Sequence, residues 1–252
     1  MLTVRQVYDF INEYAPFDTQ EAFDNAGLLV GHPDTEVTGV LFAMDVTDKV
    51  LDEAEKLGVN LIVTHHPMMF APRKRLVETD HEAAMLCRMI RSRTALISAH
   101  TNLDQAQGGV NDALAGRLGL QNVTIPDEAA YLRLGNLPCP MAAGEFAKLV
   151  SQRLSTVVRL MGPEDKVIRN VAVCSGSGSD YWQAARGADA FVTGEVRHHH
   201  ALSAAAEGMV MLEAGHHSTE EPGIFALADA LQKWENAVQY RVCIHKSQVG
   251  AY

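Results

Sequence analysis

Residues 61–70, LIVTHHPMMF, end an apolar run in two adjacent histidines and a proline. Neighbouring side chains of a continuing strand point to opposite faces, so His65 and His66 share one site only if the strand stops there. Pro67 supplies the stop, because it restricts His66 and cannot donate to a sheet ladder. Two further runs end the same way: TALISA leads into His100-Thr-Asn-Leu-Asp104, and MVMLEA into Gly215-His216-His217-Ser-Thr-Glu220. A fourth, DAFVT, leads into Gly194-Glu195.

Imidazole nitrogens with carboxylate oxygens, and no thiolate among them, suit Zn²⁺, Fe²⁺ or Mn²⁺. Adding two carboxylates able to bridge suggests a pair of ions, about 3.5–4 Å apart. Imidazole as a class titrates in the working range, which makes His100 a candidate general acid or base, with Glu195 as a second candidate. Metal-assisted hydrolysis is the chemistry such a set performs.

Other histidines read more plainly. His198–His200 open a helix, where successive residues face different ways, so at most one faces a site and the others are solvated. His32, His81 and His245 are structural or exposed, and His217 is an exposed or supporting residue. CSGSGSD (174–180) between a strand and a helix is either a tight turn or an anion-binding loop, since it lacks the full dinucleotide or Walker pattern. DNAGLLVG (24–31) by itself is a turn into an apolar run.

These residues need elements to hold them. Helical spacing covers 46–58, 79–93 and 109–119, and short β-branched runs cover 37–45, 60–64 and 94–99. Gly58 is a good helix terminator, and Thr3 with Gln6 makes a capping box at the N-terminus. The stretch 122–140, punctuated by Pro126, Pro138 and Pro140, reads as a crossover. The alternation then resumes with helices at 143–154, 179–187, 195–207 and 219–235, and strands near 156–160, 167–173, 189–193, 209–213 and 238–245. The expected fold is α/β: two interlocked lobes with mixed, mostly parallel sheets and the metal site in the crevice between them. The first lobe is 1–121, with a C-terminal strand in 237–252 as a candidate to rejoin it; the second is 122–236.

The chain has 252 residues and a formal net charge of −10, from 21 Lys+Arg against 31 Asp+Glu. That balance disfavours nucleic acid and anionic membranes as bulk partners. No apolar run reaches the roughly 18 residues of a membrane helix, and no signal peptide is recognised. Cys87, Cys139, Cys174 and Cys243 are scattered, which fits a reducing cytoplasm.

Taken in order, DNAGLLVG, THHP, HTNLD, CSGSGS, TGEVRHH and GHHSTE resemble the Nif-three-like family, also described as type 2 GTP cyclohydrolase I homologues, which includes the YbgI-like proteins. The resemblance spans nearly the whole chain. It implies two divalent ions held by His65, His66, Asp104, His216 and Glu220, with Asp104 or Glu220, or both, bridging, and His100 beside them as a proton-transfer group or a support for the ligands. His199 aligns with a family histidine, whereas His198 and His217 depart from the pattern. It also implies a homohexamer, a trimer of dimers, acting on a small molecule with nucleotides among the candidates. The rival readings are a non-catalytic metal-binding ring or interaction scaffold, and a nucleic-acid-associated factor.

Overall fold

The computed structural model describes residues 1–126, 129–235 and the backbone of 240–242. It divides into two compact units: Met1–Gln107 with the described residues from Ile224 onward, and Gly108–Gly223. The expected His245, and the outer parts of the strand expected at 238–245, lie outside the described residues.

In the first unit, α1 (Val4–Tyr14) starts from Thr3 through the expected capping box, Thr3 and Gln6 each bonding the other's backbone N–H. There follow β1 (Gly27–Val30), β2 (Val40–Ala43), α2 (Asp48–Leu57), β3 (Leu61–Thr64), α3 (His81–Ser92), β4 (Ala95–Ser98) and the short helix α4 (Thr101–Gln105). Gly58 ends α2 at φ +67°, the left-handed conformation expected of it. In the second unit come α5 (Val110–Leu118), β5 (Gln121–Thr124), β6 (Arg133–Ala142), α6 (Ala143–Leu154), β7 (Arg159–Met161), β8 (Val167–Cys174), β9 (Ala190–Thr193), α7 (His198–Ala206) and β10 (Val210–Glu213). The long helix α8 (His216–Trp234) begins in the second unit and ends in the first, where β11 (Tyr240–Val242) follows.

The first sheet has the order β1-β4-β3-β2-β11. It is parallel throughout except for β1, which runs antiparallel to β4. Leu41, Ile62 and Leu96 bury one face of it against Val50, Leu51 and Met89 of α2 and α3. The second sheet has the order β5-β6-β8-β9-β10-β7, with β8, β9 and β10 parallel and the other pairings antiparallel. Its central strands alternate between two apolar layers. Val171, Val173, Val192 and Leu212 pack with Phe146 and Val150 of α6. Ala172, Phe191 and Met211 pack with Trp182, Ala185 and Ala204.

Two expectations need correction. The proline-rich stretch is a strand rather than a bare crossover: β6 pairs with both β5 and β8. Pro138 and Pro140 fit because the β6–β8 register is interrupted between Asn136 and Met141, where a missing N–H costs no ladder bond. The α-helix expected at 179–187 is a 3-10 turn at Gly178–Tyr181 followed by further tight turns. Trp182, Ala185 and Ala188 donate to Ser179, Trp182 and Ala185, each three residues back. Three-residue spacing stacks Trp182 above Ala185 on one side, and both are buried in the layer beneath.

Candidate metal centre

In each unit the polar residues collect beyond the carboxyl ends of three adjacent parallel strands, the usual ligand position of an open α/β sheet. In the first unit these are β2, β3 and β4. The N–H groups of His65 and His66 still bond the carbonyls of Ala43 and Met44, so β3 follows β2 one pair beyond its regular end before Pro67 turns it away. His65 is fully buried. The rings of His65 and His66 have centroids 5.0 Å apart, and His100 lies 5.1 and 5.6 Å from them. Each of the three offers a nitrogen within 4.8 Å of the others'. Asp104, buried on α4, holds Oδ1 3.5 Å from His65 Nε2.

The other ring nitrogens are fixed. His65 Nδ1 lies 2.9 Å from the Ala99 carbonyl, which can only accept, so Nδ1 carries the proton. His66 Nδ1 meets Asp45 Oδ1 at 2.7 Å, and His100 Nδ1 meets Asp24 Oδ1 at 2.8 Å. The Thr101 N–H and hydroxyl donate to the second oxygen of Asp24. Burial works to raise the Asp24 pKa, but the bonds from His100 and Thr101 outweigh it and bring the group to about 2. Asp24 is therefore ionised across the physiological range.

In the second unit the strands are β8, β9 and β10. His216 and Glu220 stand one turn apart at the start of α8, with Nε2 3.0 Å from Oε1. His216 Nδ1 meets Glu195 Oε1 at 2.9 Å. The hydrogen bond to Glu220 raises the His216 pKa to about 9 against the opposing effect of burial, with Glu195 adding to the rise. The Ser177 hydroxyl donates to Glu195 Oε2 at 2.7 Å, and this bond, with that of His216, lowers the Glu195 pKa. Both oxygens of Glu195 are thus engaged, which suits it to orienting His216.

Local sequence makes this crowding possible. Gly176 sits at φ +57°, and a Cβ there would come 2.2 Å from Glu220 Oε1. At Gly194 a Cβ would come 2.7 Å from the His216 Cα. The CSGSGSD loop therefore serves the His216–Glu220 pair by its smallness, and the Gly176 N–H donates to Thr219 Oγ1 at 3.0 Å. Of the triple histidine, His198 and His199 are exposed, while His200 Nδ1 lies 3.2 Å from Ser179 Oγ. His32 and His81 keep exposed side chains beside Asp34 and Asp48.

The donor chemistry fits divalent cations. Each of His65, His66, His100 and His216 has Nδ1 against an oxygen, the arrangement that orients metal-binding imidazoles, and at His216 Nε2 faces Glu220, itself a carboxylate donor. Neither Asp45 nor Asp24 figured among the sequence candidates. Asp45 was within reach of the rule that found the others, since it follows the carboxyl end of β2. Asp24 had no such signal, because its turn approaches His100 only in the fold.

The model of the family Duf34/NIF3 (NGG1p interacting factor 3) matches residues 2–250. A Clostridium acetobutylicum protein named GTP cyclohydrolase 1 type 2 homolog is 32% identical over 241 residues, covering 92% of this chain and 90% of its own. A Streptomyces coelicolor protein of the same name is 35% identical, over 88% of this chain and 83% of its own. The crystal structure of Staphylococcus aureus protein SA1388 is similar with a TM-score of 0.92 at 28% identity, over 100% of this chain and 99% of that one.

Proposed function

The chain belongs to the Duf34/NIF3 family, and on that footing we propose that it is a hydrolase dependent on two divalent metal ions, acting on a nucleotide or a related heterocycle. The proposed ligands are His65, His66, Asp104, His216 and Glu220, with Asp104 or Glu220, or both, bridging. The observation that carries the reading is the common orientation of the four imidazoles, each with Nδ1 held on an oxygen. The relatives' name supplies the substrate class, since it contains GTP.

Divalent ions held there supply Lewis acidity and lower the pKa of water. The chain's residues do the remaining work. Asp45 and Glu195 keep the rings of His66 and His216 turned by accepting at Nδ1. His100 takes up or delivers a proton at Nε2, and ionised Asp24 steadies the imidazolium form. Burial of His65, Asp104 and Glu220 keeps bulk water from competing for their donor atoms.

The same proposal includes a homohexamer built as a trimer of dimers and a cytoplasmic setting. Among the described residues no helix is long and apolar enough to cross a membrane, and Cys87 and Cys139 are free thiols. The test is turnover by Zn-, Fe- or Mn-loaded protein on a panel of nucleotides and cyclic amides. The proposal expects hydrolysis of at least one nucleotide, abolished by Asp104→Asn. Full metal occupancy without turnover on any of them contradicts the hydrolase reading and leaves a metal-binding scaffold.

A further inference from the structure

Two large aromatic side chains stand exposed beside the histidine cluster of the first unit. Phe23 is 63% and Phe70 51% exposed. Their ring centroids are 6.2 Å apart and their planes meet at 52°. Phe70 also lies 6.2 Å from His100, edge to face at 83°. The loops that carry them are tied together, as the Asn25 side-chain amide donates to the Met69 carbonyl at 2.6 Å. The same Phe23 loop holds Asp24, which orients His100.

Isolated exposed apolar residues are ordinary, but a pair of phenylalanines in contact, fixed by a cross-loop hydrogen bond and abutting a reactive group, is a built surface. We infer that Phe23 and Phe70 form an aromatic platform that holds the planar heterocycle of the substrate against His100. The inference rests on the proposed function and deepens it by naming what the substrate must present: a flat, π-bearing ring. Aromatic faces and edges carry opposite partial charge, so rings held at an angle give a heterocycle one face to stack on and one edge to meet. Stacking tolerates different bases because each has a π-face, so the platform selects for a ring rather than for one hydrogen-bonding pattern.

Equilibrium dialysis of the metal-loaded full chain tests this, with guanosine as the probe and ribose 5-phosphate as the control lacking a ring base. Phe23→Ala and Phe70→Ala are each expected to weaken guanosine binding about tenfold, the lower part of the range for loss of one stacking partner. Phe70→Tyr should retain it, and metal content should match the unaltered protein in all three. Ribose 5-phosphate binding should not change. Guanosine affinity unaltered by both alanine variants, or no guanosine binding by the unaltered protein, overturns the platform. So does a change of oligomeric state in the variants with guanosine affinity intact, which would make the pair a subunit contact. Metal content is read in the same samples, so protein that holds no metal but loses guanosine binding on substitution would sink the dinuclear reading and leave the platform standing.

Discussion

At the scale of single residues, the site depends on groups that touch the imidazoles as much as on the imidazoles. His66 is presented by Asp45, which accepts from Nδ1 at 2.7 Å. Removing the ligand and removing its support should therefore differ in measurable ways. His66→Ala is expected to lose about one equivalent of metal per chain while the protein stays folded, as read by elemental analysis. Asp45→Ala keeps every proposed ligand, so full loading remains reachable, but affinity should fall about 10- to 100-fold, the usual effect of losing such a partner. Competition with a chromogenic chelator distinguishes the two. His216 gives a pH signature in chelator-stripped protein. Its folded pKa, near 9, lies above the ordinary 6.5. The stabilisation from its protonated form is thus complete below about pH 6.5 and is lost as pH rises through 9. Urea melts across that window should show falling stability, and His216→Gln should flatten the fall.

At the scale of elements, the close approach of the CSGSGSD loop to α8 is the most exposed to a small change. Gly176→Ala places a methyl group 2.2 Å from Glu220 Oε1 in a left-handed backbone conformation. The expected cost is about 1–3 kcal/mol in denaturant titrations, with weaker metal retention. The elements around the first half of the site were legible in sequence: β3, β4 and α2 follow from apolar period, β-branched runs and the Gly58 terminator. Histidines and carboxylates past strand ends were legible for the same reason, as a short parallel strand places the residues that follow it at the carboxyl end of the sheet. Where the reading failed, the missing information was non-local. Two prolines argue against a strand until the interrupted β6–β8 register shows that their missing N–H groups are not needed. Residues 178–187 carry no local signal that separates a helix from the three-residue turns that bury Trp182 and Ala185. Asp24 reaches His100 across 76 positions, a distance no local pattern spans.

At the scale of the whole molecule, α8 leaves one unit and enters the other, and β11 then pairs with β2. β11 lies about 200 positions after β2 in the chain, so contacts far apart in sequence close the first sheet. The family resemblance, expected from the order of six short motifs, is matched by the Duf34/NIF3 assignment over 2–250. The central claim is that ligands from residues 65–66, 104 and 216–220 serve one pair of ions. Anomalous diffraction at the zinc edge from crystals grown with zinc measures it most directly. The account predicts two peaks per chain, about 3.5–4 Å apart, bounded by His65, His66, Asp104, His216 and Glu220. A single peak, or two peaks well separated and each held by one unit alone, would contradict it.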